Sequence, residues 1–253
     1  MTAPGERPGW TDARVADAYC RFTGRYDLYS RTSARLVDFI SGQAPATVLD
    51  LCCGTGVTAA EILQALPGLR ALHCLDSSPA MLSRACTALT DARITWHALP
   101  AERLTELAAI SIDACICNMA IWQLDVAAVL AGLRQILRPD GAFAFNIGYW
   151  LAGQAAGTTA SALTVEERAW RSRLDAAGWQ LESASWDENA YSWEEAEAWA
   201  SVPVFAQFAG RLLLPYRHAR AAGTTASSPQ AWILYVRARP CTSTSQEAEV
   251  RLR

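Results

Sequence analysis

Between residues 47 and 147 five short apolar runs alternate with helical patterns, and that alternation limits the possible folds more than any other feature. The runs are Thr47–Leu51, Ala71–Leu75, Ile94–His97, Ile112–Asn118 and Ala142–Ile147. Helical stretches lie between them at Thr58–Ala65, Pro79–Leu89 and Leu124–Leu137. Strands separated by helices at this spacing pair in parallel through right-handed crossovers. The punctuation agrees. Pro67-Gly68 ends one helix and Pro79 starts another, where a missing N–H is no loss. Arg138-Pro139-Asp140-Gly141 makes the turn that launches the fifth strand. The expected class is α/β, a doubly wound, mostly parallel sheet.

The flanks are of another kind. Residues 11–42 read as helical, with Val15, Ala18, Tyr19 and Phe22, then Leu36, Val37 and Ile40, near a 3.6 period before Ser41-Gly42. Leu151–Thr164 is almost all Ala, Gly, Thr and Ser and is expected to be mobile. Val165–Ala177 reads as a helix ended by Gly178, and a strand lies around Gln180–Trp186. Ser192–Ala200, Val204–Gly210 and Pro215–Ala222 read as short helices, and Ala231–Arg239 as the last strand. The polar remainder from Pro240 is expected to fray. The heptapeptide AAGTTAS occurs at Ala155–Ser161 and Ala221–Ser227 and reads as two flexible connectors. The expected organisation is a helical cap over 1–45, a ligand-binding core over 46–150, a helical cap insertion plus the last two strands over 151–239, and a flexible tail over 240–253.

Composition removes whole classes of function. All 22 residues in the Lys+Arg count are arginine. Without lysine there is no Schiff-base chemistry, no P-loop phosphate lysine and no lysine base. Net charge is −3 and no arginine cluster forms a basic stripe, so nucleic acid is not an expected partner. No apolar run reaches the roughly 18–20 residues that span a bilayer. The opening MTAPGERPGW mixes acid, base and proline where a signal peptide needs an apolar stretch. The eight cysteines include adjacent Cys52 and Cys53 but no CxxC pair, and no histidine stands at zinc-finger spacing from them. Reduced thiols in a cytoplasmic protein without a metal site are the expectation.

The most specific stretch is Val48-Leu49-Asp50-Leu51-Cys52-Cys53-Gly54-Thr55-Gly56. A strand ends in an acid and a glycine-rich turn opens a helix whose first N–H groups have no partner. Asp76 ends the next strand, about twenty residues on, where a carboxylate can accept ribose hydroxyls. Gly54-Thr55-Gly56-Val57-Thr58-Ala59 satisfies the dinucleotide pattern G-x-G-x-x-G/A. Asp50 argues against a pyrophosphate, since like charges repel in a poorly screened cleft. A cofactor carrying an ammonium and a sulfonium suits it.

In these residues the chain resembles the class I S-adenosylmethionine (SAM)-dependent methyltransferases. The similarity continues through Leu75-Asp76-Ser77-Ser78-Pro79-Ala80-Met81-Leu82, Asp113-Ala114-Cys115-Ile116-Cys117-Asn118-Met119 and Leu133-Arg134-Gln135-Ile136-Leu137-Arg138-Pro139-Asp140-Gly141. It spans residues 45–150 with four motifs in order, and it implies a Rossmann-like sheet of seven strands. It further implies that Asp50, Cys52, Gly54 and Gly56 form the loop beside the methionine amino group. Asp76 would hold the ribose, with Ser77 and Met81 beside the adenine. Asn118 and Met119 would line the sulfonium region, and Tyr19, Tyr26 or Tyr29 on the N-terminal helices could touch the cofactor carboxylate. Two positions depart from the pattern. Cys52 stands where many relatives have glycine, and Pro100 where many have an acid that meets the adenine amino group. Adenine recognition then falls to the Ala101 backbone N–H, with Glu102 as second contact or merely a first-turn helix acid.

The acceptor is narrowed by exclusion. Asn118-Met119-Ala120-Ile121-Trp122 lacks the [DNS]-P-P-[YFW] motif of nucleic-acid amino methyltransferases. Ala144-Phe145-Asn146 lacks the carboxylate pair of metal-dependent catechol enzymes. A small organic acceptor, largely aromatic or polycyclic and belonging to secondary metabolism, is the expectation. Trp122, Tyr149, Trp150 and Phe205 are the candidates for its walls, against the alternative that such rings only pack the cap. His73 and His97 read as structural. His218 is the candidate base, with Tyr19, Tyr26 and Tyr29 behind it, against the reading of His218 as an exposed helix residue. Two other readings stay open: a SAM-assisted cyclisation, elimination or rearrangement without methyl transfer, and a non-enzymatic partner subunit of this fold. The oligomeric state is open too, a homodimer included.

Overall fold

The computed structural model describes residues 9–149, 156–222 and 229–241. Two helices open it, α1 (Ala13–Arg25) and α2 (Leu28–Ser41). The apolar period across 11–42 is continuous, yet the chain breaks at Tyr26, which is extended (φ −123°, ψ 141°). Asp12 starts α1 by accepting the Arg14 N–H at 2.8 Å, which satisfies a donor with no partner inside the helix.

The alternating part follows as β1 (Thr47–Leu51), α3 (Val57–Ala65), β2 (Ala71–Asp76), α4 (Pro79–Ala88), β3 (Ile94–Ala98) and a 3-10 helix at Ala101–Leu107. Then come β4 (Ile112–Cys117), a 3-10 turn at Ile121–Gln123, α5 (Val126–Ile136) and β5 (Leu137–Tyr149). The chain continues through α6 (Ala156–Ala176), β6 (Trp179–Ala190), α7 (Trp193–Ser201), α8 (Ala206–Ala221) and β7 (Gln230–Pro240).

The strands make one seven-stranded sheet in the order β3-β2-β1-β4-β5-β7-β6. β1 to β5 pair in parallel, and β7 lies antiparallel between β5 and β6. This is the doubly wound sheet expected from the alternation, with the seven strands and Rossmann-like order that the resemblance implied. Its strand order reverses between β1 and β4, and the crevice past their carboxyl ends is where such sheets hold ligands.

Both faces are covered. On one, Val48 and Leu72 meet Leu36, Val37 and Ile40 of α2 and Ile62 of α3. On the other, Leu49, Leu75 and Phe143 meet Leu133 of α5 and Trp170 and Leu174 of α6. Burial on both sides is why the central strands read as unbroken apolar runs.

Three local expectations are corrected. Of the stretch 151–164 expected to be mobile, residues 156–164 form the first turns of α6, and 151–155 lie outside the described residues. Trp170 and Leu174, 1% and 0% exposed, anchor that helix, and its alanines carry it back toward the N-terminus. α8 passes unbroken through Pro215, where two helices were expected. Leu213 is buried while Arg211 and Pro215 are exposed, so the carbonyl left without a donor lies on the exposed side. β5 begins at Leu137 and not at Ala142, with a register jump from Ile112↔Leu137 to Ala114↔Ala142. Inside that bulge a Cβ on Gly141 would lie 2.9 Å from the Asp113 carbonyl and 2.7 Å from Leu137, so only glycine fits. At the other end the Cys241 N–H still donates to Gly178 O at 2.9 Å, and residues 242–253 lie outside the described residues.

Candidate active site

The turn after β1 is built on left-handed backbone. Cys52, Gly54 and Gly56 have φ of 60°, 53° and 88°. The alternation folds the loop back on β2: the Cys53 N–H donates to Leu75 O at 3.0 Å and the Gly54 N–H to Asp76 Oδ2 at 2.9 Å. Glycine is needed at 56 for a second reason, since a Cβ there would meet Leu89 of the α4 end at 3.0 Å. Gly56 therefore serves packing of α3 on α4, while Gly54 faces the cavity beside Tyr19. At Cys52 a non-glycine residue holds the strained conformation, which costs roughly 1–2 kcal/mol.

Two carboxylates meet at this turn and differ sharply. Asp76 accepts from Gly54 and, at 2.8 Å, from the Ser78 N–H. Burial raises its pKa, and those two amides pull it back. Asp50 is 1% exposed, and neither carboxylate oxygen makes a hydrogen bond of normal geometry. Burial and the Asp76 charge push it up to about 8, against a small opposing pull from the Ala59 amide. A buried carboxylate so poorly satisfied suits a cationic ligand.

A cavity of about 270 Å³ opens over this turn. Of the expected residues, Tyr19, Tyr29, Cys52, Gly54, Asp76, Ser77, Met81, Glu102, Asn118, Met119 and Phe205 line it together. Asp50 lies beneath the lining. Ala101 is buried below the wall at 4% exposure, and Glu102 accepts the Asp125 N–H at 3.2 Å.

The structure does not bring the other candidates in. His218 is exposed near the end of α8. Tyr26 packs on Phe22 at 5.2 Å. Tyr149 turns away and accepts the Trp170 indole N–H at 2.9 Å. Trp122 is 47% exposed and donates to Met119 O, outside the lining. Trp150 lies outside the described residues. His73 and His97 pair with each other at 3.0 Å on β2 and β3, away from the cavity.

Sequence reasoning missed other residues. Trp10 roofs the cavity: its indole N–H donates to Gln123 at 2.5 Å, its carbonyl accepts from Ser78 Oγ at 2.7 Å, and its ring packs edge-on against Tyr19 and Phe205. Asn146, fully buried on β5, accepts the Met119 N–H at 2.6 Å and donates to Asn118 Oδ1 at 2.9 Å. Asn118 in turn donates to Ser33 Oγ at 2.8 Å and to Tyr29 O at 3.1 Å. This network holds Met119 at a φ of 56°. The signal for it was a polar residue inside an apolar strand, which tends to be kept for a buried partner. The aromatic hydroxyls are satisfied among themselves: Tyr19 donates to Tyr29, which also accepts from Trp199. Burial holds Tyr29 up at about 12 and Tyr19 well above its usual range.

Comparison with known proteins adds a family match and a shared fold. Residues 48–141 match the family model described as a methyltransferase domain. A malonyl-[acyl-carrier protein] O-methyltransferase of Dechloromonas aromatica is 31% identical over 144 residues, covering 55% of this chain and 52% of the relative. The biotin biosynthesis bifunctional protein BioHC of Teredinibacter turnerae is 28% identical over 149 residues, covering 53% of this chain and 26% of the relative. The chain thus spans about half the length of the first of these curated relatives and about a quarter of the second. The crystal structure of a proposed methyltransferase from Bacillus halodurans superimposes with a TM-score of 0.60 at 15% identity, covering 83% of this chain and 99% of that one. At that identity the likeness speaks for the fold.

Proposed function

We propose, from the match of residues 48–141 to a methyltransferase domain family, that the protein is a class I SAM-dependent methyltransferase that passes a methyl group from SAM to a small, flat organic acceptor. The observation that carries this reading is Asp50, a buried carboxylate with both oxygens unpartnered beside a cavity. A cofactor with an ammonium and a sulfonium answers that need, so the residues present fit it. SAM supplies a methyl group on a positively charged sulfur, ready for in-line displacement. Asp50 offers the counter-charge. Asp76 keeps lone pairs for the ribose hydroxyls while two amides fix its plane. Met81 and Ser77 would flank the adenine, and the Ala101 N–H and Glu102 would offer it polar contacts. The Asn118–Met119 turn forms the wall at the transfer end and holds its shape through Asn146.

Catalysis by such a site is chiefly orientation and exclusion of water. Trp10, Tyr19, Tyr29 and Phe205 provide flat walls and a roof. Tyr19 and Tyr29 stay protonated at neutral pH, so they donate hydrogen bonds and do not serve as bases. Among the described lining residues there is no histidine or arginine. The acceptor therefore brings its own nucleophile, such as an acidic phenol or an amine lone pair. That lining also favours an aromatic or polycyclic acceptor of secondary metabolism over a carboxylate, because Asp76 and Glu102 stand there with no cation beside them. The absence of a lining base equally supports the second reading, a SAM-assisted reaction without methyl transfer. No described helix is long and apolar enough to cross a membrane. All eight cysteines are free thiols, which supports a reducing, cytoplasmic setting.

Calorimetric titration with SAM tests the cofactor, and a folded protein that binds none of it defeats the reading. Incubation with SAM and a panel of phenols, amines and carboxylic acids tests the acceptor. Stoichiometric S-adenosylhomocysteine (SAH) with product separates methyl transfer from the alternative.

A further inference from the structure

We infer that Asp50 keeps a proton until a cationic ligand docks beside it, and that docking drives that proton into solvent. The inference rests on the cofactor reading above and adds a linked proton to it. The geometry comes first. Asp50 ends a central strand, is 1% exposed, and has no hydrogen-bond donor in normal geometry on either oxygen. An ionised carboxylate so placed has only the weak pull of the Ala59 amide to stabilise it, and it is favoured in neutral form.

Every titratable group that faces it points the same way. On its own loop stand the Cys52 and Cys53 thiols, on β2 Cys74 and the Asp76 carboxylate, on β4 Cys115, and on α1 the Tyr19 hydroxyl. None of these carries a positive charge. Asp76 adds to the cost of ionising Asp50, and burial is the larger cause, together bringing it to about 8. The charge nonetheless reaches the cavity: Asp50 is among the groups that raise Tyr19, which lines it. A cation placed in that cavity meets the same field from the other side and favours the ionised form. Asp50 then passes from carboxylic acid to carboxylate, and one proton leaves for the buffer. Asp76 differs because the Gly54 and Ser78 amides already stabilise its charge.

The test is calorimetry of the full chain with SAH at pH 6.5, in two buffers of very different ionisation enthalpy. At that pH the ligand's amino group, with a pKa near 7.7–8.0 for an ordinary α-amine, stays charged and releases nothing. The expected heats differ between buffers by about one proton per site, and affinity rises up to tenfold per pH unit from pH 6 to 7, flattening toward 8. Asp50→Asn removes both effects, while Asp76→Asn, which takes away the lesser of the two causes that raise Asp50, keeps them at reduced size. Equal heats in both buffers with affinity constant from pH 6 to 8 overturn the inference and leave the cofactor reading intact. A slope that survives in Asp50→Asn and vanishes in Asp76→Asn overturns it in favour of the neighbour. No binding at any pH by folded protein sinks the cofactor reading, and this inference with it. The wild-type measurement decides by itself if Asp50→Asn binds too weakly to titrate.

Discussion

The two halves of the sheet treat their polar and strained groups in opposite ways. At the carboxyl edge of β1, β2 and β4 the backbone is left-handed at Cys52, Gly54, Gly56 and Met119, and Asp50 is buried without a partner. In the half formed by β5, β7 and β6 the strands are long, and Phe143, Phe145, Trp170 and Trp179 are all at most 1% exposed. There the Trp170 indole donates to Tyr149 and its ring packs 4.8 Å from Phe145. The Trp179 indole N–H lacks a partner, but an unpaired neutral donor costs far less than an unpaired charge. One half supplies stability and the other spends it on a binding site. That division is expected where a site must be shaped before its ligand arrives.

The contrast can be broken most directly from the stable side. Trp170→Ala empties a fully buried ring site and should cost about 3–5 kcal/mol in denaturant unfolding. Residual folded protein should keep most of its SAH affinity, because neither Trp170 nor any fully buried member of its cluster lines the cavity; only Cys52, Ala120 and Leu124, packed against that cluster, do. A loss below about 1 kcal/mol would mean that the antiparallel half does not carry the fold.

Asp50→Asn should act in the opposite direction. The folded carboxyl titrates near 8 and an unfolded one near its model value of 3.8, so the folded state holds the proton more tightly. Below pH 4 both states are protonated and this group costs nothing. As pH rises toward 8 the cost grows, and stability falls. The neutral variant should be more stable than wild type by about 2 kcal/mol or more at pH 8, with the gain shrinking toward pH 5. Thermal melts of ligand-free protein across that range check it, and a gain independent of pH would contradict the assignment.

Asn146→Ala removes an acceptor from the Met119 N–H and a donor from Asn118 at full burial. It should destabilise by about 1–3 kcal/mol and weaken SAH binding as well, since the turn it fixes lines the cavity. Asn146→Asp, which keeps the acceptor for Met119, should restore part of the binding. If both variants bind like wild type, the network does not shape the site. A smaller effect belongs to Cys52→Gly, which relieves a positive φ but frees the unfolded chain, for a net gain of at most about 1 kcal/mol. His218→Ala, on the exposed end of α8, should change neither melting temperature nor SAH affinity.

Much of this was legible in residue order alone. Alternating apolar runs and helix punctuation are local matters, decided by the pleat of a strand, the 3.6-residue turn and the positions of proline and glycine. The same holds for the loop from Asp50 to Gly56, where an acid and two glycines at fixed spacing specify a strand end, a tight turn and a helix start. The errors fall where distant segments decide. Composition marked residues 156–164 as loose, but Trp170 buried against Phe145 holds the whole helix in place. Pro215 marked a break, but packing of Leu213 carried the helix through it.

The site divides along the same line. The sequence alone determined a parallel sheet with an acidic, glycine-rich turn at its carboxyl edge and a second acid on the neighbouring strand. Only the tertiary structure decided which acid is satisfied. Asp76 accepts from two amides in good geometry, one from the turn that follows β1, while Asp50 has only the weak pull of the Ala59 amide. It also decided that Trp10 reaches across 113 positions to Gln123, and that Asn146 props the turn after β4. Secondary structure follows from sterics between near neighbours, whereas burial and hydrogen-bond satisfaction depend on what the rest of the chain places alongside. No short-range pattern records that.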